Sequence, residues 1–239
     1  MRCHVKLRVI IKCNKAGPGP IFGSLFKEYV IITPTFQLQL MHIYKEHPFN
    51  IPNLEGLSAK QIEIHLRLYA GYVNHVNLIR EKIHEFEAED KEKHLYAIAE
   101  LRRRFSFEFN GIRMHEYYFE QWEESSKAPD ESSTLVQTVS EKYGSWKKFI
   151  EHFRTVGATR GVGWTVLYYD PNGMTPHTAW VGEHELGVLA GLPVILAMDM
   201  WEHAFMVDYT PMEKNKYIDA FFANLNWNIV EERFRNVER

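Results

Sequence analysis

Apolar and polar residues alternate with a helical period along the first half of the chain and with a strand period in part of the second. From Leu57, in "LSAKQIEIHLRLYAGYVNHVNLIREKIHEF", apolar side chains fall at Ile62, Leu66, Tyr69, Val73, Val76, Ile79 and Ile83. Steps of three and four keep them on one face of a helix, and Ser58 stands where an N-cap belongs. A second helix is predicted from near Lys91 through "LYAIAELRRRFSFEFNGIRMHEYYFEQWEES", with Gly111 as a break or a close-packing point. "SSKAPDESS" reads as a loop, and "TLVQTVSEKYGSWKKFIEHFRTVGAT" as two shorter helices.

The pattern changes at Gly161. "GVGWTVLYYD" and "MTPHTAWVG" are strand-like and flank the turn "PNG", which predicts a hairpin. "LPVILAMDM" predicts a third strand; "KNKYIDAFFANLNW" and "IVEERFRNV" predict closing helices. A helical half followed by a mixed half is an α+β arrangement. The expected architecture is an N-terminal long helical hairpin over residues 41–126 and a C-terminal α/β domain with a three-stranded antiparallel sheet over residues 127–239.

Residues 1–40 stand apart. Up to residue 27 they carry Arg2, Lys6, Arg8, Lys12, Lys15 and Lys27 and no acid, and "KAGPGP" interrupts them. Three readings compete: a targeting leader, an extra strand pair, or an extension created by an upstream start codon. The stretch lacks the Arg/Ser-rich amphipathic character of a transit peptide and the apolar core of a signal peptide. We read it as an N-terminal extension, disordered or a start-site artefact, because "MHIYKEHPFNIPNLEGLSAKQ" begins a domain on its own.

Composition narrows the function classes. A net charge of -3 gives no basic field for nucleic acid, and no apolar run is long enough to span a bilayer. The two cysteines, Cys3 and Cys13, form no CxxC pair, so a reducing compartment is expected. The location expected is cytoplasmic, or organellar or exported if residues 1–40 are a genuine leader.

Some ionisable residues sit on otherwise apolar faces: His65, His115 in "RMHEYYF", and Asp199 and His203 after the third strand. Three imidazoles and a carboxylate suit a redox metal such as Fe or Mn. The absence of thiolates beyond residue 40 argues against structural zinc or an iron–sulfur cluster. The same residues also fit plain core histidines and a hydrogen-bonded Asp–His pair, and spacing does not separate the readings.

A resemblance does. "DMWEHAFMVDY" resembles the D-x-W-E-H-A signature of the iron/manganese superoxide dismutases. In the same order, "LSAKQIEIHLRLYAGYVNHVN", "NGIRMHEYYF", "GVGWTVLYYD" and "NLNW" resemble that family's first helix, second-helix His segment, first strand and closing motif. The resemblance covers about residues 42–235. It implies one Fe or Mn ion per subunit, held by His65, His115, Asp199 and His203. It implies Tyr72 at the mouth of a substrate funnel, Trp164 and Trp201 as its aromatic wall, and Glu202 in a homodimer interface, a tetramer being the other option. The partner molecule would be superoxide, disproportionated to dioxygen and hydrogen peroxide.

The chain departs from the family pattern at several points. His65 and Tyr72 are seven residues apart, one fewer than usual, which suits a more regular helix. Leu68 and Tyr69 replace a frequent His pair, and Met206 replaces a common Tyr. The family bonds metal-bound solvent with a Gln from one of two places. Gly111 stands at one and His184, fifteen residues before Asp199, at the other; His184 is the residue expected to act. Two other readings stand beside this one: a metal-free structural or ribosome-associated protein that reuses the fold, and a metal-binding helical module with hydrolytic activity. The chain keeps all four donors and has no HExxH motif.

Overall fold

The computed structural model describes residues 42–237. The expectations for residues 1–40 lie outside the described residues. From Ile43 onward the chain forms one compact unit.

Helix α1 spans Ala59–Asp90 and α2 spans Leu95–Glu120. Ser58 caps α1 as expected, its Oγ accepting from the Gln61 amide at 3.1 Å. The stripe that α1 buries is Gln61, His65, Tyr69, Val73, Val76 and Ile79, so two polar side chains share the apolar face. The turn into α2 starts later than the sequence pattern suggests. The Asp90 carboxylate accepts the amides of Glu92 and Lys93, and the His94 ring stacks on Phe86 at 4.4 Å, holding residues 91–94 out of the helix.

Gly111 does not break α2. A glycine inside a helix costs about 1 kcal/mol relative to alanine, so its presence needs a cause. A Cβ there would stand 2.7 to 3.0 Å from Cδ1, Cγ and Cε1 of the Tyr72 ring. The bare backbone is the seat of that ring. Gly111→Ala is expected to push Tyr72 from its place and to destabilise the fold by about 1–3 kcal/mol through overpacking. Thermal unfolding together with the turnover assay measures both effects; an alanine variant indistinguishable from the parent would show that the ring yields freely.

Helices α3 (Thr134–Tyr143) and α4 (Trp146–Gly157) follow, capped by Ser133 and Ser145. Strands β1 (Gly163–Asp170), β2 (Thr175–Gly182) and β3 (Val194–Asp199) form an antiparallel sheet in the order β2-β1-β3. The hairpin register pairs Gly163 with Gly182 and Asp170 with Thr175. β1 is the central strand and is buried along nearly its whole length, and Trp164 pairs with Asp199 across to β3. Gly163, with φ of 155°, adopts a conformation reserved for glycine, and a Cβ there would strike the Val181 carbonyl.

Helices α5 (Lys214–Ala223) and α6 (Trp227–Val237) close the chain. The pattern "KNKYIDAFFANLNW" predicts an unbroken helix, yet the helix stops at Ala223. Residues 225 and 226 leave it to pair with the segment after α2: the Asn226 amide donates to the Gln121 carbonyl at 2.9 Å, and the Lys127 amide to the Leu225 carbonyl at 3.0 Å. Tertiary hydrogen bonds here override helical propensity. No helix among the described residues is long and apolar enough to cross a membrane.

Candidate metal centre

Four donors meet at one point. His65 comes from the buried stripe of α1 and His115 from α2. Asp199 ends β3, and His203 lies on the short 3-10 turn Glu202–Ala204. Their ligand atoms all lie within 4.8 Å of one another. Asp199 Oδ2 is the hub, with Nε2 of His65, His203 and His115 at 3.1, 3.3 and 3.6 Å. His65, His115 and Asp199 are fully buried. The regular helix between His65 and Tyr72 keeps both on the face toward α2.

Hydrogen bonds fix the orientation of these groups. His115 Nδ1 donates to the Gly111 carbonyl at 2.6 Å, which puts the ring proton there and leaves Nε2 with a lone pair. That Nε2 is buried and has no hydrogen-bond partner. Asp199 Oδ1 accepts from the Trp201 amide at 2.8 Å, and the Tyr217 hydroxyl donates to the Asp199 carbonyl at 2.6 Å. Gln61, one turn before His65, bonds the 3-10 turn and the segment after it through the two ends of its amide: Nε2 donates to the His203 carbonyl at 2.6 Å, and Oε1 accepts from the Val207 amide at 3.0 Å. Reading the sequence for ionisable groups missed Gln61; its mark was a polar residue on the apolar stripe.

Burial opposes the charge of Asp199, yet the His203 and His65 imidazoles outweigh it and hold the carboxyl far below the ordinary range. Burial, only partly offset by Asp199, lowers His65; burial and then the neighbouring His65 lower His115 further. The result is one buried carboxylate beside two buried imidazoles, His65 and His115, whose proton uptake burial disfavours. An unpartnered buried Nε2 is costly in a dry interior. That cost is met by a cation, and nitrogen with oxygen donors suit Fe and Mn. The residues present fit the metal.

Around this cluster runs an aromatic wall. Trp164 lies edge-on to His115 with ring centroids 5.0 Å apart, and Trp201 stacks on both His184 and His203 at 5.0 and 5.4 Å. Phe107, which sequence reading did not single out, packs on His184 at 4.6 Å. His184 is fully buried. Asn110 on α2 donates to the His184 carbonyl at 2.9 Å and so ties its loop to the helix. Both ring nitrogens of His184 are engaged. Trp164 Nε1–H donates to Nδ1 at 2.9 Å, so the neutral ring carries its proton on Nε2, 2.8 Å from the Tyr72 hydroxyl. Burial depresses His184 to about 4. Burial first, then the charges of Asp199 and Glu108, push the Tyr72 phenol far above its ordinary value; Arg104 opposes them. Glu202 is exposed. Leu68 and Met206 are 38% and 47% exposed, and apolar surface stands where a polar His–Tyr contact was absent from the sequence.

These shifts have a sign that can be measured in metal-free protein. An unfolded imidazole takes up its proton near pH 6.5, whereas His184 in the fold does so near 4. Below the unfolded value the denatured chain binds protons that the folded chain refuses. Stability is therefore complete above about pH 6.5 and falls as pH drops toward about 4, with His65 and His115 acting in the same direction. The unfolding midpoint of metal-free protein should be clearly lower at about pH 5 than at about pH 7. A midpoint flat across that window would mean the imidazoles are not held neutral.

Comparison with known proteins places this geometry. Residues 131–233 match the family model "Iron/manganese superoxide dismutases, C-terminal domain". The chain is 34% identical to the superoxide dismutase [Fe] of Aquifex aeolicus over 76% of its own length and 86% of that protein. It is 30% identical to the superoxide dismutase [Fe] of Saccharolobus solfataricus over 79% of its length and 90% of that protein. Similarity extends to superoxide dismutase [Mn] 1 of Halobacterium salinarum, at 29% identity over 78% of this chain and 92% of that protein. On its identity to these relatives across nearly their whole length, and on its matching C-terminal half, the chain belongs to the iron/manganese superoxide dismutase family.

Proposed function

We propose that this protein is a superoxide dismutase that converts two superoxide anions and two protons to dioxygen and hydrogen peroxide. The observation that carries the reading is the convergence of three imidazoles on one buried carboxylate oxygen, in a chain of this family. His65, His115, Asp199 and His203 would hold one Fe or Mn ion. The bound metal supplies one-electron exchange with superoxide.

The remaining side chains manage protons and access. Asp199 stays ionised and gives the site its only anionic protein donor. Trp164 fixes the proton of His184 on Nε2, and Nε2–H then donates to the Tyr72 oxygen. This frees the Tyr72 O–H to donate into the pocket, where peroxide must be protonated. Trp164, Trp201 and Phe107 keep the pocket narrow and dry, so a small anion enters and little else. The working form we propose is a homodimer: Glu202 is exposed one residue from His203, beside exposed Met206 and Val207, and a second copy of the chain would cover them.

The test is direct. Purified protein should contain Fe or Mn at one ion per chain and should remove superoxide in the metal-loaded form only. A protein that binds neither metal, or binds one and leaves superoxide untouched, would overturn the reading.

A further inference from the structure

Of the four donors, His203 stands on the slightest support. His65, His115 and Asp199 belong to the regular elements α1, α2 and β3 and are fully buried. His203 belongs to a 3-10 turn of three residues, and its side chain is 18% exposed. The backbone bonds inside this segment are short-range. The Ala204 amide donates to the Trp201 carbonyl, the Met206 amide to the Glu202 carbonyl and the Tyr209 amide to the Phe205 carbonyl. Such bonds fix the shape of the segment, but not its distance from α1, where His65 lies. Metal–ligand bonds tolerate errors of only about 0.2 Å, so a donor on such a turn needs an anchor from outside it.

Gln61 supplies that anchor. It is fully buried on the apolar stripe of α1, one turn before His65. Both ends of its amide cross to the segment. Nε2 donates to the carbonyl of His203 itself at 2.6 Å, and Oε1 accepts from the Val207 amide at 3.0 Å. Two outer contacts close the same seam: the Ser58 amide donates to Asp208 Oδ2 at 2.6 Å, and the Tyr209 hydroxyl donates to the Gly56 carbonyl. Of these contacts, only the Gln61 bond reaches a metal donor's own backbone. An apolar side chain of the same length would break both amide bonds and let the segment settle at a different distance from α1.

We infer that Gln61 is the positioning residue for His203. It joins the α1 donor and the turn donor into one rigid unit, and it contributes to metal affinity through His203 alone. Gln61 itself is not a metal ligand and carries no proton to or from the pocket. His65 does not depend on it, because the backbone of α1 already holds that residue. The inference rests on the reading of the four donors as a metal site.

The experiment is a double-mutant cycle on metal affinity. Metal-free parent, Gln61→Met, His203→Ala and the double variant are each titrated with Co²⁺, and turnover is not used. Co²⁺ binds nitrogen and oxygen donors more tightly than Mn²⁺ or Fe²⁺ and so keeps weakened sites measurable. Methionine matches glutamine in length and makes neither amide bond. Gln61→Met is expected to weaken Co²⁺ binding by about 10- to 100-fold, the scale for removing a group that orients a ligand. In the His203→Ala background the same substitution should change affinity by less than about twofold, since the donor it positions is already gone. An equal penalty in both backgrounds would assign the loss to general destabilisation or to His65 and overturn the inference. Parental affinity in Gln61→Met would overturn it too. Gln61→Asn, with an amide one methylene too short to span both partners, repeats the cycle if the methionine variant folds poorly. Amide hydrogen exchange on the parent needs no variant at all. Val207 is 40% exposed, yet its N–H should be protected by the bond to Gln61; exchange at the rate of an open loop would overturn the anchor. Each of these failures leaves the metal site standing, whereas a parent that takes up no metal would overturn the metal reading itself.

Discussion

Replacing Asp199 with alanine is expected to strip the protein of bound metal and abolish superoxide turnover. Asp199 Oδ2 lies within 3.6 Å of all three Nε2 atoms, and Asp199 is the one carboxylate among the four converging donors. Without it, three imidazoles face one another in a dry pocket with no anionic group to offset a cation's desolvation. The expected loss of metal affinity exceeds the roughly 10- to 100-fold typical of removing a group that merely orients a ligand. Asp199→Asn sharpens the comparison, because the amide keeps the Trp201 amide bond at Oδ1 but carries no charge. It should fold and still hold little metal. Metal analysis of both variants after identical loading is the measurement. Stoichiometric metal with parental activity in Asp199→Ala would mean that the four donors are a hydrogen-bonded core cluster instead.

The second large effect is expected at His184. Alanine there removes the acceptor for Trp164 Nε1–H and the donor to Tyr72 in one step, leaving both polar groups unpartnered in the pocket. Turnover should fall by about 10²-fold, the scale for losing one positioned proton-transfer or polarising group. Metal content should remain, because His184 is not one of the four converging donors. His184→Gln should recover much of the rate. A glutamine carbonyl can accept from Trp164 while its amide donates to Tyr72, which reproduces the polarity of the imidazole. Turnover in His184→Ala equal to the parent would assign the positioning of Tyr72 to another residue.

Much of this protein is legible from local sequence because the responsible forces are local. The three- and four-residue steps from Ile62 to Ile83 specify α1, Ser58 its start, and "PNG" the hairpin, since helical and strand periods are set by backbone geometry alone. The apolar surroundings of His65, His115, Asp199 and His203 marked all four as candidates, and the family resemblance is what singled them out as one ligand set. Tertiary structure decided what depends on atoms meeting across long separations. Nothing local says that α5 stops at Ala223; the pairing of residues 225–226 with the segment after Glu120 does. Gly111 read as a break or a close-packing point, and only the Tyr72 ring lying against it decides for the second. Gln61 and Asn110 carry no motif, because their roles consist of hydrogen bonds to partners far along the chain. The proton on His184 Nε2 is the sharpest case. Sequence can name the histidine, but which nitrogen holds the hydrogen is set by Trp164, twenty residues away, through a bond that exists only once β1 and the loop after β2 have packed together.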